Sequence, residues 1–148
     1  MLTSRQFERA RDLALRLAGI ELVERHREIL YRRSRRLGIV EGNDLDALLR
    51  AAEDGDPSAG QRLVSLFTTN RTGFFRHPAH FDLAAERALR VAKRRRRARC
   101  WSAAAATGEE PYSLAMAVMD VFRGEELPVT ILATDIDVEA LEVARRGE

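Results

Sequence analysis

Cysteine is nearly absent from this chain: Cys100 stands alone, so no disulfide can form within it. It lies in the apolar run before Ser102 with no histidine near it in sequence, and reads as a buried core thiol rather than a nucleophile. The histidines are few as well. His26, His77 and His80 give no usual zinc spacing with the lone cysteine, so no metal is implied. No run of about 18 apolar residues exists, and the N-terminus lacks the apolar stretch of a signal peptide. A soluble, cytoplasmic chain without direct membrane insertion is therefore expected. Lysine is almost missing, Lys93 being the only one beside 24 arginines, which reads as genome composition more than function. Repeats and low-complexity linkers are lacking too.

What is present suffices for a packed core: 45% of the 148 residues are apolar. The net charge of +2 is unevenly laid out. Residues 1–70 hold 12 basic and 11 acidic side chains, 71–99 hold 10 and 2, and 100–148 hold 3 and 10. A cationic middle and an anionic last third point to distinct surfaces. The run Lys93–Arg97 carries no interleaved aromatics and sits at a predicted helix end, where cations are favoured. Nucleic acid is therefore not the expected partner.

Periodicity divides the chain in two. The spacing predicts a helix over Ser4–Leu17, with Ser4 as cap and Gly19 as stop. A second spans Leu22–Leu37, with an apolar stripe of Leu22, His26, Ile29, Leu30 and Leu37, ending at Gly38. A third is capped by Asp44 and buries Leu45, Leu48, Leu49 and Ala52. A fourth starts at Asp56-Pro57 and buries Leu63, Val64, Leu66 and Phe67. A fifth begins at Pro78 and runs through Phe81, Ala84, Ala85 and Leu89 into the basic run. Thereafter a strand near Arg99–Ala103 leads through a Gly108 turn to a helix with Pro111 in its first turn. That helix is expected to bury Leu114, Ala115, Val118, Met119 and Phe122 and to stop at Gly124. A second buried strand, Val129–Ala133, and a helix capped by Asp137 and ended by Gly147 close the chain. Continuous apolar strands alternating with helices imply a parallel sheet, and two strands leave that sheet unfinished.

Two stretches carry the chemistry. Thr68-Thr69-Asn70-Arg71-Thr72-Gly73-Phe74-Phe75-Arg76 packs hydroxyls, an amide and arginines around two aromatics. On spacing alone it reads equally as a linker with capping side chains. Trp101-Ser102-Ala103-Ala104-Ala105-Ala106-Thr107-Gly108-Glu109-Glu110-Pro111-Tyr112 reads as strand, small-residue turn and helix start, where backbone approaches a nucleotide-like ligand. Alanine runs also arise from tight packing alone, and Glu109 and Glu110 also suit a helix dipole, worth ~0.3–1 kcal/mol. Asp135, 27 residues after Gly108 at a strand end, suits two ribose hydroxyls; a helix cap is the other use, for which Asp137 is better placed. Trp101 and Tyr112 read as packing residues rather than adenine stackers.

Three blocks in order, Thr69-Asn70-x-Thr72-x-Phe74-Phe75-Arg76, then Trp101-Ser102-Ala103-Ala104 with Thr107-Gly108-Glu109-Glu110-Pro111-Tyr112-Ser113, then Ala133-Thr134-Asp135-Ile136-Asp137, resemble the chemotaxis receptor methyltransferases of the CheR type. The resemblance implies an α/β fold: a small all-α N-terminal domain, residues 1–67, that meets receptors. Residues 68–148 would then be the first part of a Rossmann-like S-adenosylmethionine-dependent methyltransferase domain. It implies methyl transfer from S-adenosylmethionine to receptor glutamates by a protein-glutamate O-methyltransferase, of which this chain would be an N-terminal fragment, inactive alone and monomeric at full length. Arg76 is then the catalytic residue at the methionyl end of the cofactor. Asn70, Thr72, Arg76, Glu110 and Asp135 are the cofactor contacts, Glu110 facing the methionyl amino group. The resemblance also assigns the arginine-rich helix, with Arg25, Arg32 and Arg36 at i, i+7 and i+11, to the acidic helical bundle of the receptor. A solvated charged face competes with that assignment, and Arg33-Ser34 replaces the family's usual Arg-Leu there. The competing functions are a non-catalytic receptor- or cofactor-binding module and a DNA-binding helical domain.

Overall fold

Gln6 decides where the first helix starts. Its amide oxygen accepts the Thr3 N–H at 2.9 Å while the Thr3 hydroxyl accepts the Gln6 N–H at 3.2 Å, a reciprocal capping box. The cap is therefore Thr3 rather than the expected Ser4, because only Thr3 stands three residues before a side chain able to return the bond. Helix α1, Ser4–Ala18, ends at Gly19 with φ 65°. The structure, a computed structural model, describes residues 1–39, 42–122 and 128–147. Among these, no helix is long and apolar enough to cross a membrane.

The second helix begins later than its apolar spacing predicts. The His26 ring accepts the Val23 N–H through Nδ1 at 3.1 Å, and the residues between, Glu24–His26, tighten into a 3-10 turn before α2, Arg27–Arg36. Of the expected stripe, Leu22 and Leu30 are buried; Ile29 and Leu37 are exposed. Helix α3, Gly42–Glu53, starts upstream of Asp44, which falls in the first turn, where a carboxylate still complements the dipole. Helix α4, Pro57–Phe67, is capped as read: an Asp56 carboxylate oxygen accepts the Ser58 and Ala59 N–H groups at 2.8 and 3.4 Å.

The chain forms two compact units, Met1–Thr69 and Asn70–Glu148. The first is α1–α4 around Leu13, Leu49, Leu63 and Leu66, all fully buried, with Phe7, Leu45 and Phe67 beside them. Arg9 forks onto both Glu53 carboxylate oxygens at 2.7 Å, a hydrogen-bonded pairing that holds the Glu53 carboxyl below its ordinary range.

The second unit opens with α5, Pro78–Arg95, closed by Arg96 in the left-handed conformation. Strand β1, Ala98–Ala103, is followed by helix α6, Glu109–Phe122, strand β2, Val129–Thr134, and helix α7, Val138–Arg146. The strands pair in parallel, in register from Ala98 opposite Val129 to Ala103 opposite Thr134. Helices α5 and α6 pack Phe81, Ala85, Ala88, Leu114, Val118 and Phe122 against the face carrying Ala98, Cys100, Val129 and Ile131.

Two expectations fail here for one reason. The strands are not buried throughout, since their opposite face leaves Trp101 70% and Leu132 58% exposed. A two-stranded parallel pair alternates when helices cover only one side. Met119, expected inside, is 59% exposed; the inward stripe of α6 instead includes Ser113. Cys100 is half-buried rather than enclosed, and burial pushes its thiol pKa up. The expected stop at Gly124 lies outside the described residues. Asp137 caps α7, accepting the Glu139 and Ala140 N–H groups at 3.1 and 3.2 Å, and Gly147 ends that helix with φ 69°.

Candidate functional site

The loop from β1 to α6 turns on three left-handed residues: Ala104 at φ 61°, Ala106 at φ 49° and Gly108 at φ 104°. For alanine this conformation costs roughly 1–2 kcal/mol, so the loop needs anchors. The Ala105 N–H donates to the Thr134 carbonyl at 2.9 Å and the Gly108 N–H to the Ala105 carbonyl at 3.0 Å. The Ala106 N–H donates to Asp135 Oδ2 at 2.8 Å. Gly108 is fixed by space as well as by φ, because a Cβ there would lie 2.9 Å from Ala144 Cβ and 3.1 Å from Tyr112 Cε2. Tyr112 does serve packing: its hydroxyl donates to the Ala144 carbonyl at 2.8 Å and ties α6 to α7. Trp101 does not pack inside. Its indole lies on the open sheet face and donates to Thr134 Oγ1 at 2.9 Å.

Asp135 stands at the end of β2, half-buried. Beyond Ala106 it accepts the Asp137 N–H at 2.9 Å through Oδ1. A carboxylate offers roughly four acceptor positions, so capacity for two further donors remains. Asp137, 1% exposed, also accepts the side-chain amide of Asn70 at 2.6 Å. Asn70, Asp137, Asp135 and Ala106 thus form one hydrogen-bonded chain from the start of the unit, through the β2–α7 turn, to the β1–α6 loop.

Glu110 is exposed in the first turn of α6 and accepts the hydroxyl of buried Ser102 at 2.8 Å; beside it, Thr107 donates to Glu109 at 2.6 Å. Thr72 is half-buried and Arg76 exposed. Arg76 donates through Nη1 to the Arg71 carbonyl at 3.0 Å, and its N–H reaches the Gly73 carbonyl at 3.3 Å. Phe75 before it has φ 50°, donates its N–H to Ser113 Oγ at 2.9 Å, and sets its ring edge-on to Phe81 at 5.6 Å.

The sequence reading singled out Asn70, Thr72, Arg76, Glu110 and Asp135. Asn70 and Asp135 are joined through Asp137, whereas Arg76 and Glu110 make no direct bond to one another. Ser102, Ser113 and the second role of Asp137 went unrecognised. A visible signal existed for Ser113: a polar residue within the inward stripe of an otherwise apolar helix face. Among the described residues, no cluster of metal-ligating side chains occurs.

In the first unit the arginines split by role. Arg33 reaches the carbonyls of Leu66, Phe67 and Thr68 and the Thr69 hydroxyl, satisfying the carbonyl end of α4. Burial, with the nearby Arg36 charge second, lowers its pKa. Arg27 binds the Leu2 carbonyl at 2.8 and 3.0 Å. Arg25, Arg32 and Arg36 are exposed, but Arg25 sits in the 3-10 turn, so the i, i+7, i+11 register of one continuous helix does not hold. Ser34, where leucine was the usual residue, is buried and donates to the Tyr31 carbonyl at 2.9 Å.

A family model described as the CheR methyltransferase, SAM binding domain, matches residues 70–148. The chain is 40% identical over 146 residues to chemotaxis protein methyltransferase 2 of Pseudomonas aeruginosa, covering 98% of this chain and 52% of that protein. It is also 40% identical over 151 residues to the chemotaxis protein methyltransferase of Escherichia coli, covering 99% and 51%, and 40% identical over 148 residues to that of Salmonella typhimurium, covering 99% and 50%. The chain therefore spans about half the length of these curated relatives. The second unit is chemically compatible with S-adenosylmethionine, the cofactor in the family's description. It has a small-residue loop closed to a Cβ at Gly108, an exposed carboxylate at Glu110 for an ammonium group, and an Asp135 carboxylate with acceptor capacity to spare. This chain belongs to the CheR methyltransferase family, its helical first part preceding the opening β–α–β of a Rossmann-like S-adenosylmethionine-binding domain.

Proposed function

We propose that the protein carrying this chain transfers a methyl group from S-adenosylmethionine to glutamate side chains of methyl-accepting chemotaxis-type receptors, in the cytoplasm. The observation that carries the reading is the hydrogen-bonded chain from Asn70 through Asp137 and Asp135 to Ala106. It gathers two of the five assigned residues around the loop that the family match covers. When bound, the cofactor supplies a methyl group carried on a cationic sulfur. The residues of this chain bind and orient. Asp135 accepts from two ribose hydroxyls, Glu110 faces the methionyl ammonium, and Asn70 and Thr72 line the same end. Arg76 orients the acceptor carboxylate with a planar fork. A glutamate with an ordinary pKa of ~4.3 is already ionised at neutral pH, so no side chain here has to remove a proton. Orientation and exclusion of water supply the rest.

The ribose assignment is tested by Asp135→Ala in the native protein. Two charge-assisted hydrogen bonds, at ~1.5–3 kcal/mol each, should disappear from cofactor binding. Calorimetry returning the wild-type affinity rules the assignment out.

The receptor side rests on the three exposed arginines, Arg25, Arg32 and Arg36, that the first unit does not consume in its own packing. Reversing all three to glutamate should slow receptor methylation and flatten its salt dependence while cofactor affinity holds. Charges steer a partner only within a Debye length of ~8 Å at physiological salt. Wild-type methylation rates by the triple variant at low salt would reduce these arginines to a solvated face.

A further inference from the structure

Ser113 is fully buried, on the inward side of α6. Its hydroxyl donates to the Glu109 carbonyl one turn back at 2.6 Å and accepts the Phe75 N–H at 2.9 Å. Both capacities of one hydroxyl are thus spent between two segments 38 positions apart. A serine inside a helix usually weakens it slightly by bonding back to its own carbonyls, so this one needs a reason. The reason stands across from it. Phe75 is held at φ 50°, a conformation that side-chain-bearing residues adopt only when their surroundings over-determine it. The two constraints visible on it are the Ser113 hydroxyl and the edge-on contact with Phe81. The next residue is Arg76. On the other side of the same serine, Glu109 is followed by Glu110.

We propose that Ser113 is a positioning residue, whose hydroxyl sets the spacing between the arginine of the Phe74-Phe75-Arg76 segment and the carboxylate in the first turn of α6. The inference rests on the methyl-transfer reading of the site. The hydroxyl grips the main chain one residue before each of the two charged side chains, so it fixes where both begin without touching a ligand. Losing it frees the Phe75 N–H and lets the Arg76 backbone relax from its left-handed neighbour. Displacements of about 1 Å at such a distance from the chemistry cost rate on the order of a hundredfold.

The experiment compares Ser113→Ala with wild type in the native protein, measuring kcat for receptor methylation, cofactor affinity by calorimetry, and exchange of the Phe75 amide by NMR. The alanine variant is expected to lose about ten- to a hundredfold in kcat, to keep cofactor affinity within a few-fold, and to exchange the Phe75 amide rapidly. Repeating the substitution in an Arg76→Lys background should cost much less, because the fork being positioned is already gone. Should the alanine variant not fold, Ser113→Cys, which keeps a weak acceptor in a similar volume, should give an intermediate kcat. An unchanged kcat in a folded variant overturns the positioning role, as does an equal loss in both backgrounds. A wild-type protein that methylates no receptor overturns the underlying reading of the site, and the inference with it. A normal wild type with a normal Ser113→Ala variant overturns the inference alone.

Discussion

Arg76→Ala in the native protein is expected to lower kcat for methyl transfer by about 10²–10³, the scale seen when one preorganised donor is removed from a reacting centre. Folding stability should stay within roughly 0.5 kcal/mol, as for surface positions generally. The two expectations separate because of where the side chain stands. Arg76 is exposed, and its bond to the Arg71 carbonyl uses Nη1 alone, leaving most of the roughly five N–H donors of a guanidinium available. The backbone of the segment is held by other means, through the Gly73 carbonyl and Ser113. Arg76→Lys should recover only part of the rate, since an ammonium keeps the charge but not the fork. A radiolabelled methyl-transfer assay decides it. Turnover by Arg76→Ala near that of wild type removes the arginine from the chemistry.

Gly108→Ala is the second large effect, and it arises from steric exclusion. At φ 104° any side chain is strained, at ~1–3 kcal/mol. The new methyl would also meet Ala144 Cβ at 2.9 Å and Ala144 Cα at 3.1 Å, main chain that cannot swing aside. Overpacking of this kind costs a further ~1–3 kcal/mol, for a total of roughly 2–6 kcal/mol. Pushing α7 away from the loop should also strain the bonds through Asp135, so cofactor affinity should fall with stability. Urea denaturation followed by circular dichroism measures the first quantity and calorimetry the second. Ala144→Gly in the same chain should return the steric part and leave the backbone part. A single Gly108→Ala variant within 0.5 kcal/mol of wild type would mean that the loop has room the geometry denies.

Much of this was legible from local signals. Asp56-Pro57, Asp137 and the glycines at 19 and 147 mark helix ends through chemistry that acts over a few residues, and each stands where it was read. The strands and their parallel pairing followed from apolar runs between helices. Reading failed where a distant partner decides the outcome. The start of α2 depends on a histidine ring folding back onto Val23. The openness of Trp101, Leu132 and Met119 depends on which faces of the sheet and of α6 meet a neighbour. The site divides the same way. Asp135 and Gly108 announce themselves by position after a strand. The grip of Asp137 on Asn70, 67 positions away, and of Ser113 on Phe75 leaves no local trace.

The exposed indole has one more consequence. Trp101 is the only tryptophan in the chain, and its N–H is pinned to Thr134, the residue before Asp135. The protein therefore carries a single built-in fluorophore, fixed in orientation at the rim of its candidate site and bathed by water. Any body that settles over that sheet face, whether another strand, a helix or a ligand, must dehydrate this one ring and shift its emission toward the blue. Assembly over the site can be watched in real time without attaching a label.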